Sequence, residues 1–93
     1  SDYLTSYSVI YSLMLRLRGV FLIKLLQNKK SFSNYLFRRF ILKYLSEYEF
    51  KKASMIYKIV RDNRKVENLN IEIITANKLL EVLKKEVDSL NAK

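Results

Sequence analysis

The 93-residue chain has no cysteine and no histidine. These two absences exclude disulfide scaffolds, thiolate or imidazole metal sites, nucleophiles activated by histidine, and histidine general bases. Proline is absent and glycine occurs once, at position 19. Compact all-β domains need many turn residues, so this scarcity points to long helices and few turns. Long uncharged runs are missing too. The longest in the most apolar stretch, Tyr3 to Leu15, falls short of the roughly 20 residues that span a bilayer, and Arg16, Arg18 and Lys24 interrupt the apolar pattern beyond it. Neither a charged leader nor a small-residue cleavage site opens the chain. Residue 1 is Ser rather than Met, which fits either removal of an initiator or a domain excised from a longer protein.

The composition itself is core-forming, with one-sided charge. About half the residues are apolar, 49%, so the chain is not disordered. A chain of this size buries roughly 60–65% of its unfolded surface, enough for one domain with one modest core. Eighteen Lys and Arg stand against nine Asp and Glu, a net charge of +9, which predicts contact with something anionic.

Periodicity and capping residues predict four helices. The first runs from about Tyr3 to Gln27, with Ile10, Leu13, Met14, Leu17, Phe21 and Leu25 on one apolar face and Leu15, Leu22 and Leu26 on a second. A helix apolar on two sides is central in a bundle or buried in a dimer. Gly19 costs such a helix about 1 kcal/mol relative to Ala, so close approach of a neighbouring helix is expected there. Asn28-Lys29-Lys30 reads as a loop, and Ser31 or Ser33 caps a second helix over roughly Ser33 to Leu45. Its apolar residues are Leu36, Phe37, Phe40, Ile41 and Tyr44, with Arg38, Arg39 and Lys43 lying away from them.

Ser46-Glu47-Tyr48-Glu49 is a capping box that opens a third helix, Glu47 to about Asp62. Phe50, Ala53, Tyr57 and Val60 face its core side; Lys51, Met55, Lys58 and Asp62 share the opposite face. Residues 63–70 form the longest loop, and Asn70 caps a fourth helix with an apolar stripe at Ile73, Ala76, Leu80, Leu83, Val87 and Leu90, widened by Leu79 and Val82. Residues 71–74 also suit a short strand, but no partner strand occurs elsewhere. The expected architecture is all-α, an antiparallel four-helix bundle.

The positive charge is concentrated. Residues 16–43 hold eight basic residues and no acid, residues 51–65 hold six against Asp62, and residues 66–93 are near neutral with four against five. Clustered Lys and Arg favour phosphate contact. Arg38, Arg39, Lys43, Lys51, Lys52, Arg61, Arg64 and Lys65 are the candidate phosphate or nucleic-acid ligands, the alternative being a plain solvated face. Arg16 and Arg18 point about 200° apart, so one of them is expected to pair with an acid in the bundle or across a dimer. Tyr3, Tyr7 and Tyr11 form one stripe, read as core or, with Leu15, Leu22 and Leu26, as a dimer interface rather than a base-stacking platform.

Independent catalysis finds no support. No acid pair resembles a general acid beside an ionised partner, since Glu49 serves a cap and Glu81, Glu86 and Asp88 decorate the polar side of the last helix. There is no glycine-rich phosphate loop and no Glu-x-x-His pair. No catalytic residue, metal or cofactor is assigned.

The segments SYSVIYSLMLRLRGVFLIKLL, YKIVRDNRKV and ITANKLLEVLKKEVDSL, in this order, resemble the HEPN-like helical domains of prokaryotes, including those beside or fused behind minimal nucleotidyltransferase domains. The resemblance covers nearly the whole chain and implies a helical bundle, often dimeric. Active ribonuclease members carry an Arg, a polar residue and a His four to six residues beyond. Arg61 and Asp62 stand at the first two positions, but Val66, Glu67 and Asn68 occupy the His positions, and no Tyr follows for adenylylation. The resemblance therefore implies a non-catalytic member: a cytoplasmic accessory domain that dimerises with itself, accompanies a nucleotidyltransferase domain and helps bind nucleotide or RNA, with no membrane partner. A free-standing basic nucleic-acid-binding protein and a purely structural interaction module are the alternative readings.

Overall fold

A computed structural model describes residues 5–64 and 70–92. Among the described residues the chain is all-α, with α1 (Tyr7–Gln27), α2 (Asn34–Ile41), α3 (Glu47–Arg61) and α4 (Ile73–Asn91). α1 packs against both α3 and α4. None of these helices is long and apolar enough to cross a membrane.

Local chemistry sets most boundaries. Ser6 opens α1 by accepting from the Val9 N–H at 3.4 Å, so the helix begins later than the periodicity suggests; Tyr3 lies outside the described residues. Ser33 caps α2 by accepting from the Leu36 N–H at 3.1 Å. α2 stops at Ile41 rather than Leu45, because the Lys43 and Tyr44 N–H groups donate three residues back, to Phe40 O and Ile41 O. That tighter turn swings Leu45 into the core and leaves Ser46 free to start α3. The capping box is present in both directions, Glu49 N–H to Ser46 Oγ at 3.1 Å and Ser46 N–H to Glu49 Oε1 at 3.0 Å.

Two helices end with the same backbone motif. After α1, Lys29 takes a left-handed φ of 56°, and the Lys29 and Lys30 N–H groups donate to Leu26 O and Leu25 O. After α3, Asn63 takes a φ of 52°, and Asn63 and Arg64 donate to Val60 O and Ile59 O. This is the Schellman arrangement, which usually employs glycine or asparagine at the left-handed position. The single glycine is used at neither.

α4 departs from the sequence expectation in three ways. Asn70 does not cap it: the N-cap is Glu72, with no side-chain cap bond, and Asn70 O instead accepts from Lys52 Nζ at 2.8 Å. Ile71 is buried in an extended approach whose carbonyl accepts from the Thr5 N–H at 3.0 Å. The buried face consists of Thr75, Ala76, Leu79, Val82, Leu83 and Glu86, so the stripe is rotated and Leu80 and Val87 are exposed. Glu86 is not on the polar side, where its sequence neighbours Glu81 and Asp88 suggest it should be. It is buried because it lies four residues beyond Val82 and three beyond Leu83, and Lys24 of α1 pairs with it.

The core joins Ile10, Met14 and Leu17 of α1, Phe37, Phe40 and Ile41 of α2, Ala53 and Ile56 of α3, and the buried apolar residues of α4. Tyr7 packs against this core, and Tyr11 stacks on Tyr57 with ring centroids 5.2 Å apart. Both tyrosines are half-buried and engaged within the chain, with Tyr11 one turn before Leu15 on the same side of α1. The close neighbour expected at Gly19 is absent: a Cβ built there meets nothing within 4 Å.

Glu49 also fastens α3 to α4, accepting from Thr75 Oγ1 at 2.9 Å and Lys78 Nζ at 2.9 Å. Burial pushes its carboxyl up. The Ser46 N–H, the Lys78 ammonium and the Thr75 hydroxyl together outweigh that and hold it below its ordinary value of 4.5. A depressed carboxyl stabilises the fold fully above its unfolded value and loses that contribution as pH falls through the folded one. Stability measured by urea denaturation should therefore decline below about pH 4.5, and Glu49→Gln should flatten that decline; an equal acid slope in both proteins would remove Glu49 as its source. Because a non-glycine residue costs about 1–2 kcal/mol in the left-handed region, Lys29→Gly should raise stability by about 1 kcal/mol, while Asn63→Gly should change it little.

Candidate anion-binding cleft

The basic residues do not form one continuous surface. A cleft of about 320 Å³ opens between α1, α2 and α3, with Met14, Phe37, Phe50 and Tyr57 on its apolar walls. Arg18, Arg38, Lys58 and Arg61 line it, and no acid does.

Arg18 enters the cleft because it follows buried Leu17, a quarter turn off the core face of α1. Its guanidinium carbon lies 4.8, 5.3 and 5.2 Å from the ring centroids of Phe32, Phe37 and Tyr57, and Nη1 donates to Asn34 Oδ1 at 3.2 Å. Contrary to expectation it has no carboxylate partner among the described residues. The aromatic faces stabilise the cation by attraction to their quadrupoles, which leaves its full charge uncancelled. Arg16, the other half of that expectation, is exposed and makes no ion pair among the described residues.

The other three cations come from helix positions that share an edge. Arg38 pairs with Glu47, but both groups are exposed and such pairs are weak. Arg61, the last residue of α3, donates to both oxygens of Asp62 at 2.9 and 3.2 Å, and its guanidinium lies 5.8 Å from the Tyr57 centroid. The Arg61 bond holds the Asp62 carboxyl below its usual value, helped by the charges of Arg64 and Lys58. Asp62 in turn raises the Arg61 value further, so Arg61 is always charged. The Lys58 ammonium is in no ion pair within 4.0 Å among the described residues. An adjoining depression shares Arg38, Phe50, Ser54 and Lys58 with the cleft and adds Lys51.

Of the eight cations selected from sequence, Arg38 and Arg61 meet in the cleft and Lys51 extends it. Arg39 lies over Tyr35 at 5.8 Å, and Lys43 sits with Lys24, Lys30 and Glu86 in a separate depression. Lys52 is engaged by Asn70 O and by the Tyr48 ring at 4.7 Å. Arg64 is exposed after α3, and Lys65 lies outside the described residues, as do Val66, Glu67 and Asn68. Sequence reasoning missed Arg18 and Lys58. Lys58 had a usable signal, since Lys51, Ser54, Lys58 and Arg61 recur at helical spacing on one face of α3. Arg18 had none, because the rings beneath it come from three different segments.

Among the described residues no three acidic side chains come together as a metal site. No protein-family model matches the chain, and neither a curated protein nor a solved structure matches it. Since a partly buried cation–π contact contributes roughly 1 kcal/mol, Arg18→Ala should lower stability by about that amount. Arg18→Lys should restore only part of it, because an ammonium lacks the broad planar guanidinium that lies against these rings. Urea denaturation measures both, and full rescue by Lys would show that charge alone matters.

Proposed function

We propose that this chain is a non-catalytic, HEPN-like helical domain, an antiparallel four-helix bundle of the cytoplasm, that holds the phosphates of RNA or a nucleotide for a nucleotidyltransferase-type partner. The observation that carries the binding role is the convergence of Arg18, Arg38, Lys58 and Arg61 on one cleft, two of them also paired with Glu47 and Asp62 outside its lining. Guanidinium groups present paired N–H donors that match phosphate oxygens, and Lys58 adds a mobile point charge. Tyr57 and Tyr35 at the same cleft provide ring surface beside those phosphate ligands. The non-catalytic part rests on composition: with no histidine the chain has no imidazole to move protons in RNA cleavage.

Binding of fluorescently labelled single-stranded RNA, and of ATP as competitor, tests this reading by anisotropy. If three or four phosphates are neutralised, affinity for RNA should fall roughly 20–50-fold when salt rises fourfold. Arg18→Ala and Lys58→Ala should each weaken binding and shallow the salt dependence by about one phosphate equivalent, while Arg39→Ala, outside the cleft, should not. No RNA cleavage should accompany binding. Undetectable binding at low salt, or equal losses from Arg39→Ala and Lys58→Ala, would remove the cleft as the site.

A further inference from the structure

The four cations of the cleft fall into two kinds. Arg18 rests on aromatic rings and donates to Asn34 Oδ1, and the Lys58 ammonium is in no ion pair within 4.0 Å among the described residues. Arg38 instead donates to Glu47 Oε1, and Arg61 donates to both oxygens of Asp62. Resting on the phosphate-binding reading of the cleft, we infer that Glu47 and Asp62 are internal competitors for it. A ligand has to displace them from Arg38 and Arg61, so the site selects a chain of phosphates over a lone anion.

The first support is position. The two acids stand at opposite ends of α3, Glu47 as its first residue and Asp62 as its C-cap. Between them, Lys51, Ser54, Lys58 and Arg61 recur at intervals of three and four, on the face that also carries Glu47. Lys51 and Arg61 are about 15 Å apart along the helix axis, farther than one phosphate group reaches. Glu47 itself lines the adjoining depression with Arg38, Lys51 and Lys58.

The second support is exchangeability. The Glu47 and Asp62 side chains are 77 and 43% exposed, whereas the carboxylates that fasten helices together, Glu49 and Glu86, are 14 and 6% exposed. Exposed pairs contribute little to stability, and Asp62 also stands at the negative end of the α3 dipole, which opposes its charge. A phosphate that offers oxygens to a guanidinium fork can therefore take either place, and the released carboxylate turns to water.

The third support is the contrast within the cleft. A lone anion meets Arg18 and Lys58 without displacing any carboxylate, and the outer pairs stay closed. A ligand with successive phosphates reaches Arg38 and Arg61 as well, exchanging two weak ion pairs for two forked contacts.

The test uses the intact chain with a labelled short single-stranded RNA, read by anisotropy, and inorganic phosphate as competitor at constant ionic strength. Glu47→Gln and Asp62→Asn should each tighten RNA binding about two- to fivefold, the range set by an exposed pair. Each should also steepen the salt dependence by about one phosphate equivalent. Inorganic phosphate should compete no better against RNA on either variant than on the unaltered chain. Glu81→Gln removes the same charge beside α4, outside the cleft, and should leave RNA affinity within about 1.5-fold. Glu47→Gln should bring no gain once Arg38 is Ala, nor Asp62→Asn once Arg61 is Ala. RNA binding that needs Arg18 and Lys58 but gains no more from Glu47→Gln and Asp62→Asn than from Glu81→Gln would overturn this proposal and leave the cleft standing. A gain that survives Arg38→Ala, or an equal gain for inorganic phosphate, would overturn it as well. No RNA binding by any of these proteins would remove the cleft and the proposal together.

Discussion

Phe37 is the constraint on which the fold and the cleft both depend. Its ring is 2% exposed and stands within 6.5 Å of the rings of Phe21, Phe32, Phe40 and Phe50, which come from α1, the loop before α2, α2 itself and α3. Edge and offset contacts of this kind have preferred geometries, so they orient the helices as well as bury area. Phe21 stacks on Phe40 at 4.8 Å, which ties short α2 to α1. The same cluster supplies the surface on which Arg18 rests, so the helices cannot be assembled without also presenting that cation.

Much of the limited acidic complement is already engaged inside the molecule. Glu49 caps α3 and ties it to α4, Glu86 is paired below the surface with Lys24, Glu47 meets Arg38, and Asp62 meets Arg61. Aromatic rings, not a carboxylate, hold Arg18, and Lys58 is in no close ion pair among the described residues. A cation stabilised by a π-face keeps the external field that an ion pair would quench. Arg18 and Lys58 thereby direct largely uncancelled charge at the cleft.

α1 serves three surfaces at once. Ile10, Met14 and Leu17 enter the core, Arg18 a quarter turn away enters the cleft, and Leu15, Gly19, Leu22 and Leu26 face outward. This explains why its sequence reads as apolar on two sides.

The all-α class, the two serine caps at Ser33 and Ser46, the inward face of α1 and the absence of histidine chemistry are all legible in the residues alone, because they depend on composition or on groups within a turn of one another. The same signals mislead at α4, where several apolar residues flank the true buried strip and the choice between Leu79 and Leu80 depends on the position of α1. Glu86 cannot be read as buried without knowing that Lys24 lies against it, 62 residues earlier in the chain. Which cations converge is a property of the folded chain. Arg18, Arg38 and Arg61 are far apart in sequence, and an aromatic cluster drawn from several segments brings them to one cleft. Caps and periodicity act over a few residues, whereas convergence depends on how rings from separate helices pack, and that geometry is written in no local pattern.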